Sequence, residues 1–305
     1  MNKITDELLR IVSDFTGTFK GAYNIREDGG CAGRQSSENI RISSLEGRPG
    51  LRIDVKPGTK GETVYIPACV TKGDINDVTY NDFYIGEGAD ITIVAGCGVH
   101  TDDGHDARHN GIHRFFIGKG AAVLYKEKHI GTGAGAGGKH IDPVTEICLD
   151  EDSQLTMDTV QLSGVDSTTR TTSAVLKARA KLLVRERLMT NGAEAARTDF
   201  DVKLEGEDSS ADLVSRSVAR GRSHQQFRSN IHGLTRCTGH SECDAILADS
   251  GTVLALPALE ASHIDASLIH EAAIGKIAGE QLMKLRTLGL TEAEAEERII
   301  QGFLK

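Results

Sequence analysis

The densest group of ligand-type side chains runs Cys97-Gly-Val-His100-Thr-Asp-Asp103-Gly-His105-Asp-Ala-Arg-His109-Asn-Gly-Ile-His113. Thiolate and imidazole are donors that iron and zinc accept, and a glycine-containing loop can fold them around one ion. Cys97 stands first among them because it ends an apolar strand, Ile91–Ala95, that would fix its thiol. His105, His109 and His113 recur at four-residue steps, which would share one face of a helix. The same residues also read as an exposed polar loop between strands, and Cys-x2-His with trailing histidines matches no defined zinc module. His129 and His140 are further donors.

A second group, Cys237-Thr-Gly-His240-Ser-Glu-Cys243-Asp244, repeats the Cys-x2-His spacing. Cys237 and Cys243 would share a face of an unbroken strand, although Gly239 interrupts it. A buried structural thiol is the plainer reading of Cys243. The third group is His270-Glu271, an imidazole and a carboxylate that can ligate iron, tune a thiolate or form a surface ion pair. A glycine-rich stretch, Gly131 to His140, fits Gly-x4-Gly-Lys from Gly133. His140 occupies the place of the magnesium-binding Ser or Thr, and Asp142-Pro143 stops any helix that would follow. It reads as a mobile linker or insertion, not a nucleotide site. No Gly-x-Ser-x-Gly elbow occurs, and linear spacing identifies no carboxylate pair for glycoside chemistry.

The elements that must position these groups are short strands separated by glycine or acidic turns. Ile85-Gly-Glu-Gly-Ala-Asp-Ile recurs as Ile117-Gly-Lys-Gly-Ala-Ala-Val and Leu149-Asp-Glu-Asp-Ser-Gln-Leu, with looser copies from Leu176 and Leu204. The steps are 32, 32, 27 and 28 residues, in the range of stacked repeats that share one core. Strand units without intervening helical patterns favour a β-solenoid over a βαβ sheet, and so even a register is unusual in a sandwich. The expected fold is mostly β, a right-handed parallel β-helix with short N-terminal and C-terminal helical segments.

Met1–Phe15 has the amphipathic pattern of a helix, with Leu8, Leu9, Ile11, Val12 and Phe15 as its apolar residues. Gly279 to Leu288 predicts a second helix stopped at Gly289, and Thr291-Glu-Ala-Glu294 is a capping box opening a third. The expected division is an N-terminal helical or irregular segment 1–49, a β-helix core 50–258 and a C-terminal helical region 259–305 that caps the solenoid. Net charge is −9 over 305 residues, which disfavours nucleic acid and anionic membrane as partners. Arg216, Arg220, Arg222, Arg228 and Arg236 are a local exception, either a solvated strand edge or a partner site. No apolar run reaches the ~20 residues of a membrane span, and no signal peptide pattern opens the chain, so a cytoplasmic location is expected. The six cysteines sit singly, as buried small hydrophobes or ligands and not as a disulfide framework.

The last eighty residues carry a resemblance. Arg222-Ser-His-Gln-Gln226, Cys243-Asp-Ala-Ile-Leu247, Pro257-Ala-Leu-Glu-Ala261, Ile269-His-Glu-Ala272, Gly275-Lys-Ile-Ala-Gly-Glu-Gln-Leu282 and Ile299-Ile-Gln-Gly-Phe303 follow in that order. Their order and spacing resemble the C-terminal part of the SufB/SufD family, the core of the SUF iron–sulfur cluster assembly machinery, in a compact version. The resemblance implies a non-catalytic scaffold subunit on a β-helix that holds a transient iron–sulfur cluster or iron. It implies a SufC-type ABC ATPase as partner, docking on the C-terminal helices through Gln281, Leu282, Leu285, Ile299 and Phe303, with ATP bound only by that partner. It also implies a dimer, with itself or a related subunit, and a cluster-assembly role for His270-Glu271 at the subunit interface. The competing reading is a metal-dependent hydrolase or lyase on a β-helix, using the Cys97–His113 group.

Overall fold

The repeat read from the sequence is the rung spacing of the molecule. In a computed structural model that describes all 305 residues, Ile85, Ile117, Leu149, Leu176 and Leu204 stand one above another, each paired in register with the next.

Helix α1 (Lys3–Ser13) leads into two antiparallel hairpins, β1 (Ala22–Glu27) with β2 (Gly30–Gln35) and β3 (Ile40–Ser44) with β4 (Gly50–Val55). The chain then winds between two sheets through β5 (Lys60–Val70), β6 (Asn76–Ile85), β7 (Asp90–His100), β8 (Ala107–Ile117) and β9 (Ala122–Thr132). It continues through β10 (Lys139–Ile141), β11 (Val144–Leu149), β12 (Gln154–Gln161), β13 (Ser167–Leu176), β14 (Lys181–Thr190) and β15 (Ala195–Leu204). The last strands are β16 (Ser210–Ala219), β17 (His224–Gly233), β18 (Cys237–Leu247), β19 (Thr252–Ala261) and β20 (Ala266–Gly275), followed by α2 (Gly279–Thr287) and α3 (Glu292–Phe303). The first sheet runs β2-β1-β5-β7-β9-β12-β14-β16-β18-β20, and the second faces it from β3 to β19. Apart from the two hairpins all pairings are parallel, giving a β-solenoid of about eight turns.

Turn chemistry explains the rung. Gly88 and Gly120 both take φ 63°, and Asp152, Arg179 and Asp208 take the same left-handed conformation in the following turns. That region costs an ordinary L-residue roughly 1–2 kcal/mol, which glycine escapes and aspartate tolerates. The next residue is small and buried each time: Ala89, Ala121, Ser153, Ala180 and Ser209. Like side chains then stack along the axis. Phe83 lies on Phe115 with ring centroids 4.6 Å apart, and Tyr125 meets Phe115 edge-on at 5.2 Å. Each such fully buried ring is worth about 1.5–3 kcal/mol of transfer free energy.

Helix α1, capped by the Asn2 side chain on the Thr5 N–H, covers the outer face of β7, where Gly96 and Gly98 leave room for Val12 and Leu8. Strand structure extends beyond the expected 50–258 core in both directions. The 1–49 segment contains three strands besides its helix, and β19 and β20 carry the ladder to Gly275. The glycine-rich stretch is no free linker. The Gly135 N–H donates to the Thr101 carbonyl at 3.1 Å and the Gly137 N–H to that of Asp103 at 3.0 Å, so this loop is stacked on the corner one rung below.

The C-terminal helices do not cap the solenoid as expected. They are held beside it, with Arg220 reaching Glu296 and Glu297 at 3.4 Å. Leu254, Leu256, Leu259, Ile269 and Ile274 of the last two strands stay exposed. The predicted capping box is present, with Glu294 accepting from the Thr291 N–H at 2.8 Å. Thr291→Ala is expected to cost about 1 kcal/mol of local stability, read as faster amide exchange in α3 with the solenoid strands unchanged.

Candidate functional site

The expected helix carrying His105, His109 and His113 is a strand. β8 is paired on both sides, by β6 and by β10 and β11, and its ladder bonds impose a two-residue period. His109 and His113 therefore both point into the solenoid, two pleats apart. His105 lies outside, in the corner before β8, with Nδ1 2.6 Å from the Asp74 carboxylate. His100 ends β7, which runs on through Cys97, and its Nδ1 is 2.9 Å from the Thr132 hydroxyl. The four histidines thus do not converge on one ion.

Cys97, His109 and His113 do meet one cavity of about 280 Å³, at the end of the solenoid where the hairpins close it, together with Asn24, Arg26, Arg34 and Asn81. His109 Nδ1 is 3.0 Å from Asp77, whose carboxylate also accepts from Arg26 at 2.5 and 2.7 Å. Burial would raise Asp77, but these two partners hold it well below the usual carboxylate range. Burial pushes His113 down to about 4, so the ring is neutral and can ligate. Its Nε2 is buried with no hydrogen-bond partner. Burial also drives the Cys97 thiol well up, with the Glu127 charge adding to it. Cys97 is therefore a protonated thiol, one that becomes a ligand only where a metal displaces its proton.

Behind this cavity lies an ionic network that the sequence reading missed. Glu127 accepts from Tyr125 Oη at 2.8 Å and from Arg170 Nη1 at 2.5 Å, and its carboxylate is 3.3 Å from His129 Nε2. Arg170 Nε is 3.5 Å from Glu186, which accepts from Thr198 and Ser215. Burial alone would raise Glu127, but His129 and Arg170 hold it well down. The signal was available in the strand alternation: Val123, Tyr125, Glu127 and His129 share one parity, as do Leu182, Val184, Glu186 and Leu188.

At the other end, β18 continues unbroken through Gly239. Cys237 and Cys243 face inward and are buried, whereas His240 faces outward. Neither thiol can join His240 on one ion. Burial raises the Cys243 thiol to about 12. His270 and Glu271 are likewise split across β20. His270 stacks on inward Ser241, and Glu271 stands outward beside Glu242. The outward side chains His240, Glu242 and Glu271 place one donor atom each within 4.8 Å of one another. Glu242 escaped notice in the sequence because only strand stacking brings it to Glu271.

Of the residues expected to meet an ATPase, Leu282, Leu285, Ile299 and Phe303 are half-buried in the α2–α3 hairpin and Gln281 is exposed. The apolar side chains left open on this hairpin are Met283 and Leu288. The arginines do not form one patch. Arg228 is paired with Asp199 and Arg236 with Asp208, on different rungs. All six cysteines are free, and no helix is long and apolar enough to cross a membrane.

Rungs, free thiols, buried imidazoles and a carboxylate-bearing rim define a β-solenoid protein furnished with donors that suit iron. The chain belongs to the SUF system FeS cluster assembly, SufBD core domain family, whose model matches residues 75–303. It is 31% identical over 261 residues to an iron-sulfur cluster assembly SufBD family protein of Methanothermobacter thermautotrophicus, covering 84% of this chain and 62% of that protein. A family protein of Archaeoglobus fulgidus is 27% identical over 274 residues, 89% of this chain and 72% of the relative. One from Methanocaldococcus jannaschii is 26% identical over 279 residues, 88% and 86% of the two chains. The chain thus spans about three fifths of the length of the Methanothermobacter relative.

Proposed function

We propose that this chain is a non-catalytic scaffold subunit for iron–sulfur cluster assembly, acting in the cytoplasm with a SufC-type ABC ATPase. The observation that carries the reading is the family match over residues 75–303. The cargo is iron or a nascent cluster, and ATP is bound only by the partner. The ATPase docks on the α2–α3 hairpin, where Met283 and Leu288 offer free apolar surface. A second copy, or a related subunit, covers the open end formed by β19 and β20. Unpaired strand edges with exposed leucine and isoleucine favour such pairing.

For the cargo, the soft donor set is Cys97 with His109 and His113, enclosed and able to release a thiol proton to a metal. Cys237 and His270 line the interior nearer the open end. The test is anaerobic reconstitution of the chain in complex with its ATPase, using ferrous iron and sulfide. The wild-type complex is expected to develop sulfide-to-iron charge-transfer absorption, and Cys97→Ser to lose most of it. Unchanged spectra in the variant would sink Cys97 as a ligand. A wild-type complex that holds no cluster would sink the scaffold reading.

A further inference from the structure

The outer face of the first sheet carries a second donor set that uses no sulfur. His240 and Glu242 are two residues apart on β18 and share its outward face, and Glu271 of β20 stands directly beside Glu242. On the other side Asp212 of β16 pairs in register with His240. His240 Nδ1 is 2.8 Å from Asp212 Oδ1, and Nε2 is 3.8 Å from Glu271 Oε2. A carboxylate against Nδ1 holds the proton there, so the Nε2 lone pair faces the two glutamates. Carboxylate, imidazole and open Nε2 in that order are the usual outer support of a metal-ligating histidine.

The glutamates themselves call for a cation. Like charges directly opposite on neighbouring strands are destabilising. Asp212 is paired with Arg185 at 2.6 Å, but neither Glu242 nor Glu271 makes a salt bridge to lysine or arginine; Arg216 acts on Glu242 only at longer range, against the nearer charge of Asp244, and the only cationic contact of Glu271 is His240. The donor atoms lie within 4.8 Å of one another, and small rotations of the exposed Glu271 side chain bring them to the ~3 Å ligand spacing of metal bonds near 2.0–2.2 Å. The group borders a groove of about 620 Å³ also lined by Arg185, Arg216 and Lys305, so water reaches the remaining coordination positions.

We propose that His240 Nε2 and one carboxylate oxygen each from Glu242 and Glu271 bind a single first-row divalent transition-metal ion, with Asp212 positioning the imidazole. One imidazole with two carboxylates suits Fe2+, Mn2+, Co2+ or Zn2+, whereas Mg2+ and Ca2+ favour all-oxygen shells. The identity of the ion as ferrous iron rests on the assembly role proposed above. On that reading the site holds mononuclear iron beside the open end of the solenoid, before it meets sulfide.

Cobalt titration of the metal-free full-length chain, without sulfide, tests the site. One equivalent with ligand-field bands and no thiolate-to-cobalt charge transfer is expected, competed by excess Fe2+ and not by a hundredfold excess of Mg2+; an ion at the interior Cys97 set is told apart by its thiolate charge transfer. His240→Ala and Glu271→Gln are each expected to weaken binding at least tenfold, and Asp212→Asn to weaken it about tenfold with shifted bands. These substitutions all fall on the outer face, and circular dichroism checks that each variant keeps its strands. No stoichiometric binding, triad variants that bind like wild type, or displacement by Mg2+ would overturn the proposal. Cobalt bound through the triad in a chain that never forms a cluster would leave the metal site standing and remove its reading as an iron store.

Discussion

Arg170→Met is expected to destabilise the protein by about 3–5 kcal/mol, the range for breaking a buried ion pair from one side. Arg170 is 5% exposed and is the one guanidinium in contact with both Glu127 and Glu186. Its removal strands two carboxylates inside the solenoid, where desolvation is no longer offset. A second substitution separates charge from packing. Adding Glu127→Gln to Arg170→Met removes one of the stranded charges and is expected to recover part of the loss. Denaturant unfolding followed by circular dichroism measures both, with hydrogen exchange to show whether rungs β9 to β15 open first, since stacked repeats need not unfold as one unit. A loss below 1 kcal/mol for Arg170→Met would mean that water or rearrangement already serves these carboxylates.

The second large effect is acid loss of stability above the carboxylate range. Burial places His113 at about 4 in the folded chain, against 6.5 for the ordinary ring. A lowered histidine favours the folded state only while the ring is neutral. Its contribution is therefore complete above about pH 6.5 and is lost as pH falls toward 4, amounting to about 3 kcal/mol in the metal-free protein. His129 is also lowered by burial, against the pull of Glu127, and acts with the same sign. Glu127 and Asp77 are held low, so their contributions disappear only below the ordinary carboxylate range and form a separate, more acid limb. His113→Gln is expected to flatten the limb between pH 6.5 and 4 and to leave the lower one in place. Identical pH profiles for the variant and wild type would refute the assignment of that limb to His113.

Much of the architecture was legible in the chain because its causes are local. The turn that follows Ile85 needs a left-handed residue and then a small one, and Gly88-Ala89 supplies both. The same demand returns at Gly120-Ala121, so the rung could be counted. The Thr291–Glu294 box was readable for the same reason, since its bonds lie within one turn of helix. The candidate site was less legible. Four-residue spacing suggested that His105, His109 and His113 share a helix face, but strand pairing overrode it and left only His109 and His113 together. The Cys-x2-His spacing failed on parity, because positions three apart on a strand face opposite ways.

The stack of strand rungs, its spacing, its terminal helices and its family were all readable along the chain, because each follows from short-range pattern and order. Which side of each sheet a donor faces, and which donors from separate rungs become neighbours, was set by the stacking of the strands. Parallel stacking sets Glu271 beside Glu242 and Asp212 beside His240, and it buries Arg170 between Glu127 and Glu186. Register couples residues about one full rung apart, beyond the reach of any local pattern. A shift of one residue in a single strand would turn its whole donor set to the other face.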